Sequence, residues 1–151
     1  MESQKACSNK CRTWRKLHLA VDSESHEIIG AELSTNSVSD SEVLPSFLKQ
    51  TRRHIRTISA DGAYDHHDCY ETIMRRGAKA LIPLRKGAAL WGLQHPRNHA
   101  VMCQRLHGSN AHWKTKSDYH QRSLSETAMH RFKTLFGGKL SFRNYNAQVT
   151  E

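Results

Sequence analysis

The stretch formed by residues 119–137 constrains the fold of this chain more than any other. It contains no proline, and a glycine pair begins at its last residue, so it predicts a long helix with Gly137 at its C-terminal cap. At about 100° per residue, an apolar stripe runs along this helix and predicts a buried face that includes Phe132 and Leu135. The whole stripe consists of Leu124, Ala128, Met129, Phe132, Leu135 and Phe136.

A second edge of the same predicted helix carries polar side chains. Steps of three, four and seven residues return to nearly the same side of a helix, and they separate Tyr119, Arg122, Glu126 and Lys133. Glu126 is the only acid in the stretch, and basic residues surround it. A lone carboxylate among cations suits a metal ligand that faces a phosphate backbone. An ordinary Arg–Glu pair on a solvated helix is the alternative, and spacing alone favours it.

A second candidate acid, Asp61, follows a short predicted strand over residues 57–60. The end of a strand holds a carboxylate in a fixed position, and Gly62 leaves room for a substrate beside it. The pattern therefore predicts a metal ligand at Asp61. The next acid, Asp65, is expected to cap a helix over residues 66–76, with Gly77 as its stop.

The remaining predicted elements alternate between strands and helices. Residues 13–22 and 27–33 predict an antiparallel hairpin, and residues 79–83 predict a further strand. A helix should end near Thr51 and begin near Leu44, because Pro45 is best tolerated in a first turn. The helix over residues 66–76 should turn three side chains towards the core, those of Tyr70, Ile73 and Met74.

Residues 84–118 form a segment rich in basic side chains, with few regular apolar repeats. Trp91 and Trp113 lie within it, and aromatic rings amid positive charge suit base stacking or tracking of a phosphate backbone. Short helices with tryptophans packed onto the domain are the alternative, and the sequence leaves both open. The expected DNA contacts from this segment are Arg85, Lys86 and Lys114.

Composition narrows the class of partner. The 23 Lys and Arg residues against 14 Asp and Glu give a formal net charge of +9, which favours a polyanion, most simply double-stranded DNA. No apolar run reaches about 18 residues, so neither a membrane-spanning helix nor a membrane partner is expected. Residues 1–12 are polar and basic, lack the apolar core of a signal peptide, and are expected to be flexible. A cytoplasmic location, on the nucleoid when DNA is bound, is the resulting expectation.

The cysteines do not predict a metal site. Cys7 and Cys11 could form half of a zinc site with His18 nearby, but no second closely spaced pair completes a ligand set. His18 is expected to be a partly buried strand residue. Free thiols are the expectation for a cytosolic chain.

Several motifs together resemble one family. The order Y-x2-R-x3-E-x6-K resembles the signature of bacterial insertion-sequence transposases of the DDE type, and Tyr119, Arg122, Glu126 and Lys133 all fit it. The words RTWRKLHLAVDSESHEI, ADGAYD and RSLSETAMHRFKTLFGGKLSFRNY are similar to the insertion-sequence-five family, from about Cys11 to the end. The resemblance implies an α/β, RNase-H-like fold, a mixed sheet flanked by helices. Residues 13–151 would be a partial catalytic domain, with residues 84–118 as a basic insertion.

The resemblance also implies roles for individual residues. Asp61 matches the second catalytic aspartate and Glu126 the glutamate, and both would hold metal. In the intact family, three acids hold two ions about 3.5–4 Å apart, and Mg²⁺ is the expected ion, with Mn²⁺ as the alternative. Tyr119, Arg122 and Lys133 would hold DNA phosphates or order the helix of the glutamate.

The first aspartate of the family pattern has no match. It belongs on the first, central strand, upstream of the segment RTWRKLHLAVD, where this chain has no aspartate and no strand pattern. Asp22 is the nearest substitute, but it falls in a turn. We therefore expect a domain truncated at both ends that lacks its first central strand, with backbone groups left without partners in the middle of the sheet.

The sequence thus predicts a transposase fragment. The parent activity would be metal-dependent cleavage and strand transfer at the ends of a mobile element, and this chain alone is expected to be inactive. A noncatalytic DNA-binding remnant is the alternative, and a folded remnant without function is a third. Self-association is left open.

Overall fold

The structure, a computed structural model, describes residues 14–151. Two 3₁₀ helices, Gly62–Tyr64 and Tyr119–Arg122, lie among four strands and six α-helices in that range. These are β1 (Arg15–Val21), β2 (Ile28–Thr35), α1 (Asp40–Gln50), β3 (Thr57–Ser59), α2 (His67–Arg75), β4 (Lys79–Leu81), α3 (Arg97–His107), α4 (Ala111–Lys116), α5 (Ser123–Phe136) and α6 (Tyr145–Thr150). The predicted α/β order is confirmed. The expectations for residues 1–12, with Cys7 and Cys11, lie outside the described residues.

The predicted hairpin is confirmed. β1 and β2 pair antiparallel from Arg15 opposite Thr35 to Val21 opposite Ile28, with an irregularity next to Val21. His18 is buried in β1, where its Nε2 lies 2.8 Å from the Ser34 hydroxyl, and burial lowers its pKa. It is therefore a strand residue with a satisfied ring, as the sequence predicted.

Four strands form two sheets instead of one. β3 and β4 pair parallel from Thr57 opposite Lys79 to Ser59 opposite Leu81, and in residues 14–151 no ladder joins this pair to the hairpin. A cleft of about 290 Å³ lies between β1 and β3. α1 packs on the hairpin and on α2, so it forms one wall of the cleft.

Helix α1 begins at Asp40, so the prediction of a start near Leu44 was wrong. Pro45 stands inside the helix and cannot donate to the carbonyl of Ser41, four residues earlier. That carbonyl instead accepts from the Cys69 thiol, with the sulfur 3.6 Å away. Burial raises the pKa of Cys69 to about 11, which keeps the thiol protonated as a donor. A contact from α2 thus offsets part of the cost of the proline.

The core of the sheet side is built mainly from α1 and α2. Tyr70 and Ile73 are buried as predicted, together with Cys69, Leu44 and Leu48. Met74 is 51% exposed, so its predicted burial was wrong. At about 100° per residue, the face formed by Cys69, Tyr70 and Ile73 leaves Met74 at its margin. Gly77, at φ +73°, ends this region with the left-handed conformation that its stop position required.

The basic segment 84–118 is more regular than its sequence suggests. It contains α3 and α4, whose Val101 and Trp113 are buried in a second core cluster with Leu81 and Tyr119. Trp91 is half-buried and stacks on His67, with the ring centroids 3.7 Å apart. The sequence left open whether the two tryptophans contact DNA or pack onto the domain. In the structure, they pack onto the domain.

The long predicted helix is divided and its apolar face is open. Residues Tyr119–Arg122 form a 3₁₀ turn, and α5 then runs to a C-terminal cap at Gly137, at φ +76°. No residue of α5 is buried, and Leu135 is 77% exposed, so the predicted burial of Phe132 and Leu135 was wrong. Within the described residues, the stripe lies against one side of the hairpin only: Leu124 faces the cleft beside β1, and the rest lies beside His26 and Ile28 at the turn end.

The last described helix returns to the hairpin. The Tyr145 hydroxyl donates to the carbonyl of Leu33 at 2.7 Å, and Gln148 accepts from Arg15 at 2.9 Å. These contacts hold α6 against the outer side of β2. No helix in the described part of the chain is long and apolar enough to cross a membrane.

Candidate functional site

Asp61 lies where β3 runs out. The amide of Ala60 still donates to Leu81 at 3.1 Å, which continues the pairing with β4 up to the residue before Asp61. One carboxylate oxygen of Asp61 accepts from the amide of Ala63 at 2.9 Å and so caps the 3₁₀ turn. The other oxygen faces away from the turn towards Arg122. The position of this carboxylate is therefore set by both the strand and the turn.

Arg85 holds the same turn from its other side. Its guanidinium donates to the carbonyls of Gly62 and Ala63, each at 2.9 Å. Its amide donates to Asp65 at 3.2 Å. The sequence predicted Arg85 as a DNA contact, and in the structure its donors are directed to backbone beside Asp61.

Asp65 does not cap α2, so that prediction was wrong. The N-cap is His66, without a side-chain bond, and Asp65 instead pairs with Arg97 through contacts of 2.5 and 2.8 Å. Both side chains are almost fully buried, and a buried guanidinium requires a carboxylate more strongly than a solvated helix end requires a cap. Arg97 also donates to Ala89 at 2.7 Å and lies 3.9 Å over the Trp91 ring.

The sequence interpretation missed Arg97. It stands among other basic residues of segment 84–118, and no spacing sets it apart from them. Of the two residues of the pair, the sequence singled out only Asp65, an acid that follows a glycine turn. Its partner is 32 residues away in sequence.

Tyr119 ties the approach to α5 onto the end of β3. The side chain is 9% exposed, and its hydroxyl donates to the carbonyl of Ala60 at 3.0 Å. Burial is the main cause of its raised pKa, so the hydroxyl stays protonated and able to donate. The ammonium of Lys114 lies 5.4 Å from the ring centroid. Tyr119 therefore sets the distance between Ala60, the residue after β3, and the first turn of α5.

Arg122 joins the two predicted acids. Its guanidinium contacts Glu126 at 2.5 Å and Asp61 at 3.4 Å, so a single side chain bridges carboxylates that are far apart in sequence. Partial burial opposes its charge, but Tyr119, Glu126 and Asp61 together raise its pKa. Asp61, Arg122 and Glu126 thus form a cluster. We call Asp61 and Glu126 the acid pair, and Arg122 bridges them.

The other predicted contacts lie outside this cluster. Lys86, Lys114 and Lys133 are exposed. Asp22 is committed to its own turn, where it accepts from the amides of Glu24 and Ser25 at 2.8 and 3.2 Å. Those bonds, Glu24 first, lower its pKa.

The donor chemistry of the acid pair can be compared with the needs of a metal ion. Carboxylate oxygens suit Mg²⁺, which also retains bound water. In residues 14–151, however, no group of three or more His, Cys, Asp or Glu side chains could hold an ion. Within the described residues, the acid pair thus supplies two carboxylates and no third ligand of these types.

Comparison with known proteins identifies the family of the chain. The family model of the transposase DDE domain matches residues 1–151, the full sequence, and the chain belongs to this family. Membership indicates a role related to DNA transposition, and proteins of this family generally use divalent metal ions. No solved structure matches the chain.

The buried Asp65–Arg97 pair should dominate stability around the site. We expect Arg97→Ala to lower the free energy of unfolding by about 3–5 kcal/mol, because it leaves a buried carboxylate without its charged partner. Arg75→Ala is the matched control, since it breaks an exposed pair with Glu71 and should cost at most about 0.5 kcal/mol. Urea denaturation followed by circular dichroism measures both. If both variants lost the same small free energy of unfolding, the buried pair would contribute no more to stability than an exposed one.

Proposed function

We propose that this chain is an incomplete RNase-H-like domain of an insertion-sequence transposase, similar to the insertion-sequence-five family. Its parent reaction would be metal-dependent cleavage and strand transfer at the ends of a mobile element. The observation that carries the proposal is the acid pair, Asp61 and Glu126, brought to the end of β3 and joined by Arg122. The family membership of the chain supports the same reading.

In this proposal the chain prepares a metal site without completing it. Asp61 and Glu126 would hold one divalent ion, Mg²⁺ or Mn²⁺, and the ion would supply Lewis-acid activation of an oxygen nucleophile. Arg122 offsets the repulsion between the two carboxylates when no cation lies between them. Tyr119 and Arg85 would act as positioning residues, since one fixes the start of α5 and the other fixes the Asp61 turn.

The chain alone would be inactive in strand transfer. Two closely spaced cations need more negative charge and more oxygen ligands than two carboxylates provide. Asp22 does not fill the gap, because its carboxylate closes the hairpin turn. The absence of a central strand between β1 and β3 in the described residues belongs to the same proposal, and the separation of the two sheets supports it.

The alternative function is noncatalytic binding of duplex DNA. The net charge of +9 and the exposed Lys86, Lys114 and Lys133 favour a polyanionic partner whether or not the acid pair is used. A cytoplasmic, nucleoid-associated location and self-association are compatible with both functions.

The activity proposal is tested on a labelled element end with Mg²⁺. Because a carboxylate is missing, we expect no detectable strand transfer by the purified chain, and at most slow nicking that Asp61→Asn and Glu126→Gln both remove. Efficient transfer by the unassisted chain, lost in both variants, would contradict the proposed incompleteness. Nicking that persists in both variants would point to a contaminating nuclease and would argue against the acid pair.

The affinity of the acid pair for a single divalent ion should depend on the charge of Arg122. We expect Arg122→Gln to increase the affinity for Mn²⁺ about thirtyfold, since it removes a unit positive charge whose repulsion of a divalent ion at about 4 Å in water is about 2 kcal/mol. Arg131→Gln removes an exposed charge from the same helix and is the matched control, with less than a twofold change expected. Water proton relaxation measures the binding. Unchanged affinity in Arg122→Gln, or binding that survives Asp61→Asn, would place the ion elsewhere.

Electrostatic DNA binding predicts a strong dependence on salt. If about four phosphates are contacted, the slope of log affinity against log salt concentration should be about −3.6. Lys114→Gln should weaken binding to all duplexes alike and reduce the slope by about one unit, whereas Asp61→Asn should leave it unchanged. Fluorescence anisotropy with a labelled duplex measures both. Binding that is indifferent to salt would exclude this account.

A further inference from the structure

The cleft between β1 and β3 has open backbone on both sides. The amide of Lys79 donates to the carbonyl of Arg56 at 2.8 Å, and the amide of Ala60 donates to the carbonyl of Leu81 at 3.1 Å. The bonded backbone groups of Arg56 and Ala60, on either side of β3, therefore point towards β4. Backbone groups of successive strand residues point to alternate edges. Those of Thr57 and Ser59 therefore point away from β4, and both residues line the cleft. No described residue accepts or donates there.

The facing edge of β1 is open for a related reason. The side chain of Gln50 donates to the carbonyl of Ala31 at 3.2 Å and accepts from its amide at 3.1 Å, so both backbone groups of Ala31 point away from β1. Ala31 pairs with Leu19. In an antiparallel ladder, such a pair is not hydrogen-bonded, and the groups of both residues point outward. The amide and carbonyl of Leu19 are thus directed to the cleft, which Leu19 also lines.

The outer edge of the hairpin is treated differently from this inner edge. On the outer side of β2, Gln50 covers Ala31 and the Tyr145 hydroxyl covers the carbonyl of Leu33. Edge strands with free donors and acceptors invite pairing, and proteins commonly block those that must stay alone. The hairpin thus has one blocked edge, and its open edge faces the open edge of β3.

The walls of the cleft specify the side chains of an occupant. One wall is the apolar face of α1, formed by Leu44, Phe47 and Leu48. The opposite wall is mixed, with Leu124 beside the polar Gln121 and Ser125 and the charged Arg122. An element that bonds to two strand edges at once must itself be a strand, and successive strand residues point to opposite faces. The occupant should therefore alternate apolar and polar residues.

We propose that this cleft is an acceptor site for an extended β-strand of another polypeptide, with apolar side chains towards α1 and small polar ones towards α5. The added strand would pair with β1 and β3 together and convert the two sheets into one. Binding of this kind draws affinity from main-chain hydrogen bonds and specificity from alternate side chains. The inference deepens the proposed incomplete domain and rests on it for biological meaning, but the binding itself requires neither DNA nor metal.

The test uses the full chain and a fluorescent, capped peptide in which valine alternates with threonine between terminal lysines. We expect saturable binding by fluorescence anisotropy. Ser59→Pro removes the amide that points into the cleft and leaves the β3–β4 ladder intact, so it should weaken binding about tenfold. Ser59→Ala keeps that amide and is the matched control, with binding unchanged. Circular dichroism checks that both variants are folded.

A second peptide keeps the test independent of how the variants fold. Methylation of alternate backbone nitrogens removes the donors of one strand edge and leaves every side chain in place, so the methylated peptide should not bind to the unaltered chain. No binding of the parent peptide, or equal binding of both peptides, would overturn the proposal. Dimerisation of the chain without peptide, abolished by Ser59→Pro, would also overturn it in favour of a second copy as the occupant. Because these assays contain no DNA, their failure would leave the transposase proposal standing.

Discussion

The structure around the site depends on the buried pair of Asp65 and Arg97. Two charges taken out of water are tolerated only when each satisfies the other, and here both are almost completely enclosed. The pair joins the turn after Asp61 to the first turn of α3, and Arg97 carries Trp91 and the carbonyl of Ala89 with it. Loss of either partner would therefore remove a connection between the loop before α3 and the turn that positions Asp61, and would leave that turn held by Arg85 and by Asp61 itself.

The acid pair is assembled by contacts made at long range. Tyr119 bonds to Ala60, the residue after β3, and Arg122, one helical turn later, bonds to both carboxylates. Arg85 adds two bonds to the same turn. Each contact joins segment 84–118, or the 3₁₀ turn that follows it, to the end of β3. These residues therefore stabilise the position of Asp61, a structural role that their charge alone would not predict.

Local features were predictable from the sequence, and long-range ones were not. The hairpin, the strand that ends at Asp61 and the glycine stops at Gly77 and Gly137 follow from periodicity and backbone conformation, which are properties of neighbouring residues. The start of α1 was missed because a thiol from α2 satisfies the carbonyl that Pro45 leaves free. Asp65 was assigned to a helix cap because its true partner could not be recognised. For α5, the apolar stripe was correctly located, but the described chain places too little opposite it to bury it.

The side-chain amide of Gln50 has a consequence for assembly. By occupying both backbone groups of Ala31, it imitates a neighbouring strand and ends the sheet on that side. On the hairpin, addition of a strand is then favoured at the inner edge, which faces β3, and opposed at Ala31 on the outer edge. A strand placed in the cleft would therefore leave the outer edge of the hairpin blocked at Ala31 and Leu33, as it is now.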